Sequence, residues 1–254
     1  TQWAEESGTM TNLEGRILRR RQAVQAPGQA RSELWILREL ARRLGCTALF
    51  SEDPEVMFDE LARASAGGKA DYSGVSYARL DAGEELFWPV PAADHPGTPR
   101  PFLDRFPTAD GRAVMIPVAH HGPADDVRPD ARLYLVTGRV LQHYQSGAQT
   151  RRVAELALAQ PEAFVEMHPL LAASLGLAEG QTAVLTTARG EITAPVRVTA
   201  DIRPDTVFMP FHWGGAGSVN KLTNDVTDPT SGMPEFKVTA VSVRAARVLE
   251  GANA

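Results

Sequence analysis

Apolar residues recur at helical spacing early in the chain and at strand spacing late in it. Leu34, Leu37, Leu40, Ala41 and Leu44 follow Ser32 and stop at Gly45, which predicts an amphipathic helix with a glycine stop. Asp53 and Pro54 precede Met57, Phe58 and Leu61, and the pattern fades at Ala66-Gly-Gly68; this predicts a second short helix with an acidic N-cap and a first-turn proline. Later, Ile192, Ala194, Val196 and Val198 alternate with Thr193, Pro195, Arg197 and Thr199. That is the period-2 mark of a half-buried strand, turned back on Thr182–Thr187 by Ala188-Arg-Gly190, with Pro195 favouring an edge. His168-Pro-Leu-Leu-Ala-Ala-Ser-Leu-Gly176 reads as a short helix, and Leu133–Arg139, Thr206–Phe211 and Lys237–Arg244 as further strands.

Between these regions, residues 67–130 are rich in proline and glycine, with Trp88-Pro-Val-Pro91, His95-Pro-Gly-Thr-Pro99 and only brief apolar runs such as Ala113-Val-Met-Ile116. A stretch this long without regular periodicity predicts a crossing segment laid over a larger body. The expected fold class is therefore α+β. Residues 1–66 form the tail of an α/β domain, 67–130 the extended crossing segment, and 131–254 a small β-barrel of about six strands.

Composition narrows the partners. The 254 residues carry 26 Lys and Arg against 31 Asp and Glu, a net charge of −5, which argues against nucleic acid or an anionic membrane surface. No run of about 18 apolar residues is present. The single cysteine, Cys46, offers neither a disulfide nor a thiolate metal cage and suits a reducing, cytoplasmic compartment. The chain begins at Thr1 without a Met, inside what reads as ordered sequence, so a piece of a longer polypeptide is expected.

The candidate chemistry lies where the run Leu133-Tyr-Leu-Val-Thr-Gly-Arg139 gives way to Val140-Leu-Gln-His-Tyr-Gln-Ser-Gly147 and then Thr150-Arg-Arg152. A buried strand ending in small, flexible and cationic residues presents backbone N–H groups and a guanidinium together, as a phosphate-bearing ligand requires. The string resembles the cofactor-binding C-terminal domain of the dimethyl-sulfoxide-reductase-type molybdopterin oxidoreductases, and among these the assimilatory nitrate reductases most. Trp3–Arg16, Gln25–Ala30, Phe164–Pro169, Val207–Trp213, Asn220–Asn224 and Asp228–Lys237 resemble the same enzymes in order and spacing.

The resemblance implies that the barrel is a double-psi β-barrel. It also implies a cofactor of two molybdopterin guanine dinucleotides holding one molybdenum, one of them covered by this barrel. By position, the implied cofactor-binding residues are Thr137, Gly138, Arg139, Val140, Leu141, Gln142, His143, Tyr144, Gln145 and Ser146, joined by Asn220 and Lys237, with His212 at a substrate funnel. Nitrate is the implied substrate, reduced to nitrite. The N-terminal remainder of the enzyme and an electron-donor protein or subunit are the implied partners. The family's iron–sulfur cysteines and its molybdenum ligand have no counterpart in this chain, and the frequent cysteine of the last motif is Thr239 here. An iron–sulfur cluster is therefore expected only in the missing N-terminal part, and no catalytic residue or metal ligand in this one.

Two other readings share these features: the same domain of a formate dehydrogenase, and a stand-alone β-barrel interaction module without redox activity. Residues 1–45 argue against the module, which has no use for them. Gly214-Gly-Ala-Gly217 lacks the helix and Lys-Ser/Thr that a phosphate loop needs, and Ser146 lacks a nucleophile elbow. His120 and His121 are adjacent and point apart on an extended chain, so they read as a solvated pair. Arg16, Arg19, Arg20 and Arg21 read as a helix face with compensating acids.

Overall fold

The computed structural model describes residues 1–48 and 50–246. The chain divides into two compact units, Thr1–Pro117 and Val118–Ala254, within the proline-rich segment.

The first unit opens with a hairpin of β1 (Gly8–Thr11) and β2 (Ile17–Arg20), paired antiparallel from Gly8↔Arg20 to Thr11↔Ile17. The arginines expected on a helix face lie in and around β2. They meet acids there: Arg16 pairs with Glu85, Arg20 with Glu6, and Arg19 and Arg21 both with Asp81. Helix α1 (Glu33–Arg43) starts where the Ser32 side chain accepts from the Trp35 amide, and α2 (Pro54–Ser65) where Asp53 accepts from that of Glu55. Both caps satisfy N–H groups that the first helical turn leaves without partners.

The region read as a crossing segment does more than cross. It forms α3 (Tyr77–Asp81), capped by Ser76, and supplies Val75, Tyr77, Leu80, Leu86 and Val90 to a core shared with Ile17 and Phe58. Its apolar residues are too far apart for periodicity to reveal them, yet they converge once Gly83 and the prolines fold the chain back.

The second unit is a closed barrel of six strands: β3 (Leu133–Gly138), β4 (Val165–Met167), β5 (Thr182–Thr187), β6 (Gly190–Val198), β7 (Thr206–Pro210) and β8 (Val238–Ala245). Around the barrel the order is β3-β7-β4-β6-β5-β8. The pairs β3–β7 and β4–β6 are parallel and the rest antiparallel, so the halves of the chain interleave as a double-psi β-barrel requires. Helix α4 (Ala154–Ala159) precedes β4. Helix α5 (Pro169–Ser174) follows it, with His168 as N-cap and Pro169 at the first helical position.

Leu135, Val165, Met167, Leu185, Val196, Val207, Met209 and Val241 fill the interior. Pro195 is not at an edge, since β6 lies between β4 and β5. Val196 exchanges its backbone bonds with the β5 side, so by alternation the Pro195 nitrogen faces the β4 side, where pairing starts only at Val196. No ladder bond is lost there.

The loop from Val226 to Phe236 is fastened to β8 by Asn224. Its Nδ2 donates to the carbonyls of Glu235 (2.8 Å) and Val238 (3.0 Å), its Oδ1 accepts from the Val226 amide, and its own amide donates to Thr239 Oγ1.

Leu185 is fully buried and Leu158 is 80% exposed. Leu185→Ala is expected to lower unfolding free energy by about 2–5 kcal/mol, and Leu158→Ala by less than about 0.5 kcal/mol. Urea unfolding of the two variants checks this.

Candidate dinucleotide-binding site

Strand β3 delivers the site. Its parallel register with β7 sets Gly138 opposite Pro210, and a Cβ on Gly138 would lie 2.6 Å from the Phe208 ring, so any larger residue at this exit requires that ring to move. Just before it, Thr137 is buried. Its amide donates to the Lys237 carbonyl (3.1 Å) and its hydroxyl to that of Phe236 (2.8 Å), which ties the strand end to the segment leading into β8.

The loop beyond Gly138 has no regular structure and is held by two histidines. His143 is buried; its Nε2 lies 2.7 Å from the Gln160 carbonyl and its Nδ1 3.1 Å from Thr150 Oγ1. A carbonyl can only accept, so Nε2 carries the proton, Nδ1 accepts from Thr150, and Thr150 accepts in turn from the Tyr144 amide. His212 has the opposite tautomer. Its Nε2 accepts from the Val140 amide (2.9 Å), which leaves Nδ1 to donate to the Gln145 carbonyl (2.5 Å).

The sequence reading puts His212 at a substrate funnel. The ring instead has no exposed surface, and both its nitrogens are committed to the loop. Burial holds its pKa below the ordinary imidazole value; His143, Arg139 and Arg151 add to the depression, and the Gln145 carbonyl opposes it. Arg151 completes the fastening by donating to the carbonyls of Ser146 and His212.

The loop turns back at two left-handed positions, Gln145 (φ 49°) and Gly147 (φ 71°). Leu141, Tyr144, Gln145 and Ser146 are exposed, and the amides of Leu141, Gln142 and Ser146 have no partner among the described residues.

Two cations share an aromatic platform beside this loop. The Arg139 guanidinium lies 5.3 Å from the Phe211 ring centre and Lys237 Nζ 5.2 Å from it, with Phe236 at 5.1 Å from the same Nζ. The ion pairs of this unit use Arg128, Arg189, Arg197, Arg203 and Arg244. Neither Arg139 nor Lys237 is neutralised among the described residues. Two like charges on one ring, next to amides with hydrogen bonds to spare, fit a diphosphate-bearing ligand.

Among the residues the sequence singled out, the structure gathers Thr137 through Ser146, Lys237 and His212. Asn220 is exposed on a 3₁₀ turn at Val219–Lys221, and among the described residues no hydrogen bond joins its side chain to the loop. The sequence reading gave no role to Phe211, Thr150 or Arg151. Thr150 and Arg151 do lie in the Thr-Arg-Arg string that accompanies the loop, and Phe211 lies in the Val207–Trp213 string, which marks the segment without marking the ring as a platform.

Residues 133–240 match the model of the Molydopterin dinucleotide binding domain, and residues 1–43 that of the Molybdopterin oxidoreductases. The chain thus carries a molydopterin dinucleotide-binding domain and, ahead of it, part of a molybdopterin oxidoreductase domain. Over 244 residues it is 42% identical to the assimilatory nitrate reductase catalytic subunit of Bacillus subtilis (strain 168), covering 95% of this chain and 34% of that protein. It is 35% identical over 242 residues to the F420-dependent formate dehydrogenase 1 subunit alpha of Methanococcus maripaludis, covering 95% of this chain and 35% of that one. The chain thus spans about a third of the length of these curated relatives. The solved structure of acetylene hydratase from Pelobacter acetylenicus is similar in fold, with a TM-score of 0.63 at 18% identity over 96% of this chain and 37% of that one.

A Cβ at Gly147 would come within 2.8 Å of both the His212 carbonyl and Arg151 Nη1, whereas one at Gly214 meets nothing within 4 Å. Gly147→Ala is therefore expected to destabilise by about 1–2 kcal/mol and Gly214→Ala by less than about 0.5 kcal/mol, read from denaturant midpoints.

Proposed function

We propose that this chain is the C-terminal portion of a nitrate reductase catalytic subunit, in which the barrel covers a molybdopterin guanine dinucleotide. The observation that carries the reading is the pair of unneutralised cations, Arg139 and Lys237, on Phe211 beside the loop that runs from Thr137 to Ser146. Arg139 would face the diphosphate, where a guanidinium fork makes charge-assisted bonds. The amides of Leu141, Gln142 and Ser146 would add donors. Lys237 and Asn220 would take the polar edges of guanine or pterin. When bound, the cofactor supplies two-electron chemistry with oxygen-atom transfer at molybdenum.

This chain's own residues bind and orient. The barrel end would exclude water from one face of the ligand, and His143 and His212 fasten the loop that carries the free amides. The residues that ligate molybdenum and the iron–sulfur cluster belong, on this reading, to the N-terminal remainder of the enzyme, and an electron-donor protein or subunit delivers reducing equivalents. Similarity to an assimilatory nitrate reductase at 42% identity supports nitrate as the substrate. The single free cysteine, Cys46, favours a cytoplasmic location. No helix of the described residues is long and apolar enough to cross a membrane. The formate dehydrogenase reading is the second one, supported by the 35% identity to such a subunit.

The test uses the full-length parent enzyme. It is expected to contain molybdenum and guanine, and to reduce nitrate at a rate at least about tenfold above any formate oxidation. Faster formate oxidation would favour the second reading, and absence of both molybdenum and guanine would reject the proposal. In the same protein, Arg139→Ala and Lys237→Ala are each expected to weaken cofactor retention by about 1.5–3 kcal/mol, as for loss of a charged hydrogen bond. Both side chains are exposed, so the melting temperature of the cofactor-free protein should barely move. Unchanged retention in both variants counts against the assigned roles.

A further inference from the structure

We infer that His212 is a positioning residue, a buried neutral latch that holds the Val140–Gln145 loop in the shape that receives the dinucleotide. The inference rests on the dinucleotide reading above and extends it to a residue that does not itself touch the ligand.

Three observations carry it. The imidazole bridges two backbone groups five residues apart, accepting from the Val140 amide at 2.9 Å and donating to the Gln145 carbonyl at 2.5 Å. It thereby spans the bend from Leu141 to Tyr144. The far end of that bend is Gln145, a non-glycine residue at φ 49°, a conformation that needs support from its surroundings. Finally, the His212 carbonyl accepts from Arg151, which also donates to Ser146, so ring and backbone of one residue fasten both sides of the loop.

The two bonds of the ring require one acceptor and one donor, which only the neutral imidazole provides. A protonated ring has two donors, so the Val140 amide would face an N–H and that bond would be lost. Burial opposes protonation of the ring first, and His143 and Arg139 from the loop and Arg151 from the 3₁₀ turn Thr150–Arg152 oppose it as well, against the Gln145 carbonyl. The folded state thus favours the neutral form. The stability contributed by the latch is present above the ordinary imidazole pKa of 6.5 and is lost as pH falls below it, through the lower folded value.

His212→Gln and His212→Phe in the full-length parent separate latching from simple space-filling. A carboxamide offers an NH2 group that donates and a carbonyl oxygen that accepts, and it does not titrate in this range; a phenyl ring fills the space with neither. The first readout is guanine and molybdenum retained per chain after gel filtration at about pH 7.5 and about pH 5.5. The second is the rate of trypsin cleavage after Arg139 in protein made without cofactor, at about pH 8.

At the higher pH, His212→Gln is expected to retain cofactor within about threefold of wild type, and His212→Phe about tenfold less than wild type. On acidification, wild type should lose cofactor several-fold more than His212→Gln does. Cleavage after Arg139 should be about tenfold faster in His212→Phe and near wild type in His212→Gln. Equal retention and equal cleavage in all three proteins would overturn the latch, as would equal loss in both variants. A parent without guanine or molybdenum would instead defeat the dinucleotide reading, and the cleavage rates would still decide the latch.

Discussion

The structure depends on one constraint: strand β3 is hydrogen-bonded on both sides, parallel to β7 and antiparallel to β8, and therefore has only one way to leave the barrel. Leu135 and Thr137 face inward in that register, and a shift by one residue would turn them to the surface. At the exit the Phe208 ring lies against Gly138, in the space that a Cβ there would take. Since β7 continues directly into Phe211 and His212, and β8 is entered through Phe236 and Lys237, the same two ladders bring these four residues to one barrel end. Barrel closure and site assembly are thus one event.

A loop without regular structure must find partners for its backbone groups, and here they are side chains rather than a ladder. His143, Thr150, Arg151 and His212 supply them, and the two rings do so in opposite tautomers. The result is a stiff bend whose remaining amides face outward in chemical terms: they have donors to give. The electrostatics agree. On a chain with a net charge of −5, Arg139 and Lys237 keep their charges unneutralised over a single ring, and burial, with His143, Arg139 and Arg151 adding to it, holds the His212 pKa below the ordinary imidazole value. An anionic ligand satisfies the cations without disturbing the histidine bonds.

Much of the barrel was legible because its signals are local. Ile192, Ala194 and Val196 alternate inward along β6, and Ser32, Asp53, His168 and Pro169 mark helix starts by chemistry that needs no tertiary context. What escaped notice lacks such signals. Strand β4 is three residues long, too short for a period to register. Tyr77 and Leu80 sit in a segment whose prolines and glycines speak of loops, although the apolar residues between them meet in a core. Arg19 and Arg20 read as part of a helix face until the β1–β2 pairing and the arrival of Asp81 and Glu6 place them in a strand. The loop residues 137–146 were legible through their resemblance to a family; the fact that His212 turns inward onto them was not, because an aromatic-flanked histidine at a strand end looks the same whether it lines a channel or fastens a bend.

The central claim is that the bend after β3 wraps a nucleotide-bearing ligand. Amide hydrogen exchange of peptides spanning residues 137–147, measured in the full-length parent with and without its cofactor, tests it most directly. The account expects strong slowing of exchange at Leu141, Gln142 and Ser146 when cofactor is bound, with β5 and β6 unchanged. Identical exchange of those amides in the two states would contradict it.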